Sequence, residues 1–371
     1  MTNLNIKIED IIGQTSINIR YNEVLQLIEG KTILVTGGAG SIGSEIVLQI
    51  VNYNPKNLIV IDQAETALHN LSVILEKEYN SLNFYPIVGD IRNKKAIKHL
   101  YKKFKPDIVY HCAAYKHVPM MESNSSEAVL VNIMGTKNLA DLSVKYKTER
   151  FVLISTDKAV NPSNVMGATK RVAEMYVKSL YSSLDGNNQT KFITTRFGNV
   201  LGSNGSVFSL FKKQIEEGGP VTITHPDVTR YFISIQEASQ LIIEASSMGL
   251  SCETYLFDMG KPVKIVDLAK KMIGLVGLTV EKDIKIEIIG LRPGEKLHEE
   301  LLNDKSNSYP TNHERIMVVK ENTNYCDSVD KKIVEILKIA KEYKPNKTIK
   351  KIKKLVPEYK SLNSSFEKLD I

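Results

Sequence analysis

Hydrophobic positions along the chain follow two alternating patterns, unbroken apolar runs and longer stretches with helical spacing. The unbroken runs, which predict buried strands, are KTILVTG, NLIVID, NFYPIVGD, DIVYHCAA, RFVLIST and KFITTRFGN. Between the first two, SIGSEIVLQIVNY places Ile42, Ile46 and Ile50 on one helical face. Further helices are predicted over residues 68–79, 96–104 and 128–145, and from residue 168. The alternation predicts an α/β fold with a doubly wound parallel sheet of the Rossmann type, covered by helices on both faces.

Composition excludes several classes of protein. Of the 371 residues, 42% are hydrophobic and 25% are charged, as in a typical globular chain, and no apolar run approaches the ~20 residues needed to span a bilayer. The first residues lack the basic start and apolar core of a signal peptide, so we expect a cytoplasmic protein without an integral membrane segment. Cys112, Cys252 and Cys326 are far apart in sequence, which predicts neither a disulfide framework nor a metal site.

The net charge of +7 comes from the end of the chain. Residues 331–371 hold 12 lysines and 5 acids, so the rest of the chain is neutral overall. A nucleic-acid enzyme concentrates basic charge on its working surface, and we therefore expect no nucleic-acid partner. A solvated, lysine-rich helical face is the favoured interpretation of this tail, and binding to an anionic partner or membrane surface is the alternative.

A glycine-rich motif joins the strand KTILVTG to the helix that follows it. TGGAGSIG, residues 36–43, carries Gly37, Gly40 and Gly43 in the spacing GxxGxxG, with Ser41 and Ile42 between the last two glycines. Glycines let the backbone approach a pyrophosphate, and a helix N-terminus offers free N–H groups and a favourable dipole. The motif therefore predicts a dinucleotide-binding site.

Acidic residues at the ends of the second and third strands indicate which dinucleotide binds. Asp62 ends NLIVID, 19 residues after Gly43. A carboxylate there accepts hydrogen bonds from the ribose hydroxyls of NAD and repels the extra phosphate of NADP, which favours NAD. Asp90 and Ile91, at the end of the third strand, are candidates for contact with the adenine, although a turn-forming aspartate explains Asp90 nearly as well.

The GxxGxxG spacing resembles that of the short-chain dehydrogenase/reductase superfamily, in the extended branch that handles nucleotide sugars. HCAAYKHVP, residues 111–119, resembles the fourth-strand motif of that branch and adds Ala113 and Ala114 to the predicted cofactor site. Asn132 resembles the asparagine of its central helix.

The Tyr-x-x-x-Lys motif of that superfamily is incomplete in this chain. Lys170 has the lysine position, for which the resemblance implies contact with the nicotinamide ribose, but Met166 occupies the tyrosine position. A thioether cannot act as a base. The preceding strand ends in ISTDKAVNP, which places Thr156, Asp157 and Lys158 at the carboxyl end of the sheet, where ligands bind in open α/β folds.

The series Thr-Asp-Lys with a downstream methionine resembles the bacterial UDP-N-acetylglucosamine 4,6-dehydratases of surface-glycan synthesis, in particular the catalytic domain of the membrane-anchored retaining type. The resemblance covers about residues 5–325 and is most specific in STDKAVNPSNVMGATKR, YKHVPMME, TRFGNVLGSNGSV and LRPGEKLHEE. Longer relatives carry transmembrane helices before a segment like IKIEDIIG, at which this chain begins, and we expect none here.

The resemblance implies a reaction and assigns roles in it. Tightly bound NAD takes a hydride from C4 of the hexose and returns it to C6 in the same turnover, while Asp157 acts as the acid at C6 and Lys158 as the base at C5. Thr156 is expected to bond the C4 oxygen, and the acceptor of the C4 proton stays open between Thr156 and a water relay. A neutral Lys158 requires a pKa lowered by burial or by a nearby cation.

Polar residues in the second half of the chain are candidates for substrate binding. Asn199 ends the sixth strand-like run and is expected to hydrogen-bond a diphosphate, and Ser206 and Val207 follow a glycine and offer backbone N–H groups. Arg230 and Arg292 are candidates for the diphosphate because a guanidinium fork matches phosphate.

The resemblance adds further substrate residues. It places Glu295 at the uridine ribose and Lys116 and His117 near the sugar, although a histidine at position 117 is more often structural than catalytic. Met259 completes the candidate set. The preference for uridine, and therefore for UDP-N-acetylglucosamine, comes from the resemblance alone.

These patterns together predict four regions. They are an N-terminal arm at 1–30, an NAD-binding Rossmann domain at 31–201 and 229–258, a smaller C-terminal substrate-binding lobe at 202–228 and 259–330, and a lysine-rich helical tail at 331–371. In that tail an amphipathic helix is predicted over 329–343, ended by Pro345. Its apolar face is Val329, Ile333, Ile336, Leu337 and Ala340.

Several alternatives stay open. A dehydratase that inverts C5 carries the same residues, and retention is favoured by the resemblance. A 4-epimerase would need a base at position 166, where Met166 stands. A non-catalytic NAD-binding sensor or scaffold is the alternative outside enzymes. We also expect a homo-oligomer, because helices of this fold often pair into dimers.

Overall fold

A nine-stranded sheet is the centre of the fold. The computed structural model describes residues 8–13, 20–184, 190–302, 307–320 and 328–370. The described residues form this sheet and three two-stranded sheets. In chain order, the strands of all four sheets are β1 (Thr32–Thr36), β2 (Asn57–Asp62), β3 (Phe84–Val88), β4 (Ile108–His111), β5 (Arg150–Ile154), β6 (Lys191–Arg196), β7 (Asn199–Leu201), β8 (Val221–Ile223), β9 (Thr229–Arg230), β10 (Phe232–Ser234), β11 (Cys252–Phe257), β12 (Val263–Lys264), β13 (Ile286–Ile288), β14 (Ser308–Pro310) and β15 (Ile316–Val319).

Helices connect these strands. They are α1 (Glu9–Ile12), α2 (Tyr21–Ile28), α3 (Ser41–Ile50), α4 (Glu65–Glu78), α5 (Lys94–Phe104), α6 (Val118–Ser123), α7 (Ser125–Ala128), α8 (Thr136–Lys145), α9 (Val165–Ser182), α10 (Val207–Glu216), α11 (Ile235–Met248), α12 (Ile265–Leu275), α13 (Ser328–Lys341) and α14 (Pro345–Leu355).

The strand order confirms the predicted fold class. It is β14-β15-β11-β6-β5-β4-β1-β2-β3, with parallel pairing from β3 to β11 and an antiparallel edge formed by β15 and β14. This is the doubly wound arrangement of the Rossmann fold. Because the chain reverses direction across the sheet between β1 and β4, the loops after these two strands diverge and open a crevice at their carboxyl ends.

The six predicted strands are all present, and their side chains divide between two cores. Successive residues of a strand face opposite sides of the sheet, so Leu34 packs in one cluster, whereas Ile33 and Val35 pack in the other. The first cluster lies under α5, α7 to α9, α13 and α14; the second lies under α2, α3, α4 and α11. Helices therefore cover both faces, as the continuous apolar strands predict.

The helix predicted over residues 128–145 differs from expectation in its middle. The helical region starts earlier, at Ser125, and the segment from Val129 to Gly135 is a π-helix. Asn132 lies within this segment. π-helical turns are uncommon and are often found at functional sites, and an apolar sequence pattern does not distinguish them from α-helix.

A third, smaller core lies among residues 201–284. Leu201, Phe208, Phe211, Val221 and Met272 belong to it, and α10 and α12 supply most of its side chains. Strands β14 and β15, which come from the range predicted as the substrate-binding lobe, extend the large sheet instead of joining this core. The predicted domain boundaries stay predictions.

The C-terminal helices pack against the sheet domain. The predicted apolar face of α13, from Val329 to Ala340, is buried in the same cluster as α9. Pro345 is the first residue of α14, where its missing N–H costs no hydrogen bond. Among the residues that the structure describes, no helix is both long and apolar enough to cross a bilayer.

Candidate active site

The turn between β1 and α3 is shaped by contacts that only glycine permits. Gly37 has φ +65°, and a Cβ there would lie 2.6 Å from the backbone N and Cα of Ala113. A Cβ on Gly43 would lie 2.2 Å from the carbonyl oxygen of Gly37. Gly40 precedes α3 and supplies no side-chain cap, so the first N–H groups of the helix are available to an anion.

A cavity of about 300 Å³ opens beside this turn, and most of the predicted cofactor residues line it. Those that do are Gly37, Gly40, Asp62, Asp90, Ile91, Ala113 and Ala114. Four predicted residues do not: Gly43 packs under the turn, Ile42 packs against the second core, Ser41 lines a neighbouring cavity, and Lys170 is buried on α9. The lining fits the phosphates of a dinucleotide, because the glycines let phosphate groups come close to the backbone at a helix N-terminus.

The carboxylates of this cavity have different partners. Asp62 accepts hydrogen bonds from the N–H groups of Ala39 (3.0 Å) and Ala64 (2.9 Å), one on each oxygen. Each oxygen keeps a free lone pair for a ribose hydroxyl. Asp90 instead forms an ion pair with Arg92 at 2.6 Å. Burial by itself would raise the pKa of Asp90. The hydrogen bonds from Arg92 outweigh the effect of burial and hold that pKa below its usual value.

Thr156, Asp157 and Lys158 lie together where β5 ends. A 3₁₀ turn from Asp157 to Ala159 follows the strand, and the N–H of Asp157 donates to the carbonyl of Phe197 at 3.1 Å, which ties this turn to the end of β6. The Thr156 hydroxyl donates to Oδ1 of Asp157 at 2.8 Å. Oδ2 of Asp157 is buried and has no hydrogen-bond partner within the described ranges. An orphaned carboxylate oxygen in this position is costly unless a ligand group meets it.

Three oxygens surround the ammonium of Lys158. Its Nζ lies 3.0 Å from Oδ1 of Asp157, 2.9 Å from Oδ1 of Asn199 and 3.5 Å from Oε1 of Glu299. Asn199, expected at a diphosphate, thus contacts Lys158. Sequence reasoning missed Glu299, although it lies in the LRPGEKLHEE motif, because no spacing rule distinguishes it from the other acids of that irregular segment.

The lowered pKa expected for Lys158 is wrong for this arrangement. Burial does lower the pKa of Lys158, and Arg230 adds to this, but the carboxylates of Asp157 and Glu299 outweigh both and raise it. Lys158 is therefore an ammonium when both carboxylates are ionised. A neutral amine requires the proton to move to a neighbour, and Oδ1 of Asp157 is the nearest acid oxygen.

The start of α9 packs directly against this turn. A Cβ on Gly167 would lie 2.1 Å from the carbonyl oxygen of Lys158, so the close packing requires glycine. Met166 and Lys170 are both buried on this helix. Burial lowers the pKa of Lys170 to about 8, against the opposing effect of Glu174.

Asn132 fixes the turn after β4 against α9. Its side chain accepts from the N–H of Tyr115 at 2.8 Å and donates to the Tyr115 carbonyl at 3.1 Å and to the Thr169 hydroxyl at 3.0 Å. Thr169 directly precedes Lys170. The π-helical segment thus connects the turn after β4, which contains Ala113 and Ala114, to α9, which carries Lys170.

The predicted substrate residues divide into two groups. Arg230 is buried and paired: its Nη2 lies 3.3 Å from Oε1 of Glu295, and its Nε lies 4.0 Å from Glu299. Glu295 also accepts from the backbone N–H of Arg292 at 3.1 Å, whereas the Arg292 side chain is exposed. The structure therefore brings Arg230, Glu295 and Glu299 together beside Lys158 and leaves Arg292 at the rim.

The second group surrounds the 202–207 turn. Lys116 Nζ lies 3.2 Å from the Ser203 hydroxyl, and burial lowers its pKa. Burial, with Lys116 as a nearby cation, also lowers the pKa of His117, whose ring packs against Gly205. Ser206 and Val207 begin α10. Met259 is buried and packs near Gly198.

Comparison with known proteins identifies the family. The family described as "Polysaccharide biosynthesis protein" matches residues 33–321. The chain belongs to this family. The capsular polysaccharide biosynthesis protein CapD of Staphylococcus aureus is 51% identical over 299 residues, which cover 80% of this chain and 49% of CapD. The chain thus spans about half the length of that relative.

Two shorter relatives carry named activities. A protein of Campylobacter jejuni named UDP-N-acetylglucosamine 4,6-dehydratase (inverting) is 33% identical, covering 75% of this chain and 79% of its own length. A protein of Rickettsia canadensis named UDP-glucose 4-epimerase is also 33% identical, covering 74% and 78%.

Solved structures agree on the fold. Pen from Bacillus thuringiensis matches with a TM-score of 0.74 and 33% identity over 80% of this chain and 90% of its own. DesIV from Streptomyces venezuelae, a dTDP-glucose 4,6-dehydratase solved with NAD and TYD, matches with a TM-score of 0.64 and 22% identity over 73% and 88%. The second similarity extends to the fold only.

Proposed function

We propose that the chain is an NAD-dependent UDP-N-acetylglucosamine 4,6-dehydratase, a hydro-lyase that gives UDP-2-acetamido-2,6-dideoxy-hexos-4-ulose. The observation that carries the proposal is the Asp157–Lys158 pair, which is held at 3.0 Å where β5 ends and leaves Oδ2 of Asp157 buried and unpartnered among the described residues. An acid and a base side by side are the two groups that elimination of water across C5 and C6 requires.

The glycine turn and the adjacent cavity would hold NAD. Gly37, Gly40 and the N-terminus of α3 would take its pyrophosphate, Asp62 a ribose, and Lys170 the nicotinamide ribose. When bound, NAD supplies the hydride acceptor for C4 and the hydride donor for C6, so one molecule serves each turnover and stays in place.

Asp157 and Lys158 would share one proton. Transfer of a proton from the Lys158 ammonium to Oδ1 of Asp157 produces a neutral amine and a carboxylic acid without changing the charge of the pair. The amine then removes the C5 proton, the C5–C6 double bond forms, the C6–O bond breaks, and the acid protonates the departing hydroxyl to water. Elimination leaves the pair as an ammonium and a carboxylate again. Lys158 would then give a proton to C5 as C6 receives the hydride, and the proton released earlier from the C4 hydroxyl would replace it, which completes the balance.

Met166 leaves the C4 proton to another group. Its thioether has no exchangeable proton. The Thr156 hydroxyl, which donates to Oδ1 of Asp157 at 2.8 Å, is the nearby group that can relay one. We propose that Thr156 holds the C4 oxygen and that the proton leaves through Thr156 or through water.

Arg230 and Glu295 would bind the nucleotide as a unit. Because Arg230 already donates to Glu295 and to the carbonyls of Leu297 and Lys296, its fork is fixed in one orientation. Glu295 would accept the uridine ribose hydroxyls, and Arg292 at the rim would meet a phosphate. Lys116, His117 and Asn199 would contact the hexose side of the substrate.

We further propose that C5 keeps its configuration, that the product enters a bacterial surface-glycan or nonulosonic-acid sugar, and that the chain forms a homo-oligomer. Retention rests on the resemblance of the Asp-Lys-Met series to the retaining type; the inverting Campylobacter relative is 33% identical. Proton NMR of product made in D₂O separates retention from inversion by the orientation of the substituents at C5.

A 4-epimerase is the second candidate, since a relative at 33% identity has that name. Epimerisation needs a base that removes the C4 hydroxyl proton and later returns it, and Met166 stands where the superfamily has tyrosine. A non-catalytic NAD-binding scaffold is the third candidate.

Mass spectrometry after incubation with UDP-N-acetylglucosamine tests the proposal. The expected product lacks the mass of one water. A product of unchanged mass with an inverted C4 would establish the epimerase, and cofactor binding without any product from UDP-sugars would establish the scaffold.

A further inference from the structure

The end of the chain returns to the candidate active site after α14. Residues 360–364, called here the C-terminal strap, run between the turn before α9 and the loop at residues 292–299. The N–H of Leu362 donates to the carbonyl of Ser163 at 3.0 Å, and the carbonyl of Leu362 accepts from the N–H of Gly294 at 2.7 Å. A single residue of the strap therefore links two segments that are about 130 positions apart in sequence.

Two further contacts fix the strap to the start of α9. The N–H of Lys360 donates to the carbonyl of Pro162 at 3.1 Å. The Ser364 hydroxyl donates to Oε2 of Glu122, whose Oε1 accepts from the N–H of Val165 at 2.7 Å. Val165 is the first residue of α9.

The strap is itself held firmly. Tyr359 and Phe366, on either side of it, are 1% and 4% exposed. Lys353 pairs with Asp370 and donates to the Ser361 hydroxyl at 2.7 Å. A segment anchored at both ends can transmit position to the groups that it contacts.

The two segments that the strap joins carry the two halves of the site. On one side, Asn164 caps α9 by accepting from the N–H of Gly167 at 2.8 Å, and α9 carries Met166 and Lys170. On the other side, Gly294 directly precedes Glu295, the partner of Arg230, in the loop that ends at Glu299 beside Lys158.

The junction between the segments is tight. Gly294 has φ +79°, and a Cβ there would lie 2.6 Å from Cβ of Asn164. The Gly294 carbonyl accepts from the Ser163 hydroxyl and the Asn164 amide, both at 3.0 Å. A shift of the strap would therefore move the 292–299 loop relative to α9.

We propose that the C-terminal strap is a positioning element of the active site, which holds the 292–299 loop against the start of α9 so that Arg230, Glu295 and Glu299 are aligned with Lys158. The proposal rests on the proposed function for its kinetic consequence. The strap lies outside residues 33–321, the part of the chain that the family matches.

Substitution of Leu362 tests the strap in the full-length chain. Leu362→Pro removes the N–H that reaches Ser163, whereas Leu362→Ala keeps the backbone bonds and removes only a side chain that is 41% exposed. In Leu362→Pro, the loss of that bond and the accompanying displacement of the strap should raise KM for UDP-N-acetylglucosamine about five- to tenfold. The NAD affinity of this variant should be unchanged. Leu362→Ala should have a KM near that of the wild type. Ser364→Ala should have a smaller effect in the same direction, and it replaces Leu362→Pro should that variant not fold.

Hydrogen exchange gives a second readout that does not depend on activity. Amides of residues 291–300 should exchange faster in Leu362→Pro than in Leu362→Ala, because the Gly294 junction loosens. Unchanged exchange in folded Leu362→Pro and Ser364→Ala overturns the strap. If the wild-type chain does not convert UDP-N-acetylglucosamine, the proposed function fails, and the exchange experiment still decides the strap.

Discussion

The buried carboxylate of Glu299 lies between two cations, with Oε1 3.5 Å from Nζ of Lys158 and 4.0 Å from Nε of Arg230. Lys158 follows β5, and Arg230 belongs to β9, so one acid connects the proposed catalytic pair with the proposed nucleotide-binding group. Burial makes this connection strong, since a charge at 4% exposure is weakly screened by solvent.

Removal of that charge should change the pH dependence of catalysis. In the proposed reaction Asp157 and Lys158 share one proton, and loss of that proton ends activity at high pH. Glu299 raises the pKa of Lys158, so Glu299→Gln should lower that pKa and move the alkaline limb of kcat/KM to lower pH. Glu300→Gln is the matched control, because Glu300 is exposed and contacts Lys296 and Asn161 instead. An alkaline limb that stays in place in Glu299→Gln contradicts the shared-proton mechanism.

The paired acid and base should each be required for dehydration but not for cofactor binding. Asp157→Asn removes the acid and leaves the volume unchanged, and Lys158→Ala removes the base; each should lower kcat by about 10²–10⁴-fold. The amount of NAD bound, measured by absorbance after denaturation, should stay at the wild-type level because neither residue lines the dinucleotide cavity. Near-native turnover in either variant would show that the roles are assigned wrongly.

The glycine turn offers a test of the cofactor site. Gly37→Ala places a Cβ 2.6 Å from the backbone of Ala113, whereas Gly277→Ala, at φ +75°, has the same backbone strain and no atom within 4 Å. Both variants should lose about 1 kcal/mol of stability from the positive φ. Only Gly37→Ala should also weaken NAD binding, by at least about tenfold, as measured by titration calorimetry. Equal NAD affinity in the two variants would place the dinucleotide elsewhere.

Local patterns in the sequence were sufficient for six of the nine strands of the sheet, β1 to β6, and for the glycine turn. The apolar runs and the glycine spacing are properties of contiguous residues, and the right-handed connections between parallel strands restrict the strand orders that such an alternation can adopt. The position of Thr156, Asp157 and Lys158 was predictable for the same reason, since they directly follow a buried strand.

Long-range properties were not predictable in this way. The direction of the Lys158 pKa shift depends on the balance between burial and two carboxylates, one of them 141 positions away in sequence, and only the folded geometry fixes that balance. The π-helical segment around Asn132 has the apolar content of an ordinary buried α-helix, so its sequence pattern does not reveal the π-helical hydrogen bonding. The hydrogen bonds of Leu362 are made by its backbone, so the residue type at this position gives no indication of them.

Lys170 should make stability depend on alkaline pH. Its pKa is about 8 in the fold, against 10.5 for an ordinary lysine, because burial disfavours the ammonium. Below pH 8 both folded and unfolded chains hold the proton, and the fold carries the full cost of the buried charge. Between pH 8 and 10.5 the unfolded chain keeps the proton that the folded chain has lost, so this group makes stability rise with pH.

Lys170→Met removes that titration, so the free energy of unfolding of wild type relative to the variant should rise by about 3 kcal/mol in total as pH increases through this window. Urea unfolding of NAD-free protein at pH 7 to 10 measures most of the change, and the difference between the two chains cancels the titration of all other lysines. Lys95→Met, at an exposed position on α5, is the control for the loss of a lysine from the surface. A pH-independent difference for Lys170→Met would mean that the Lys170 pKa is not lowered in the folded chain.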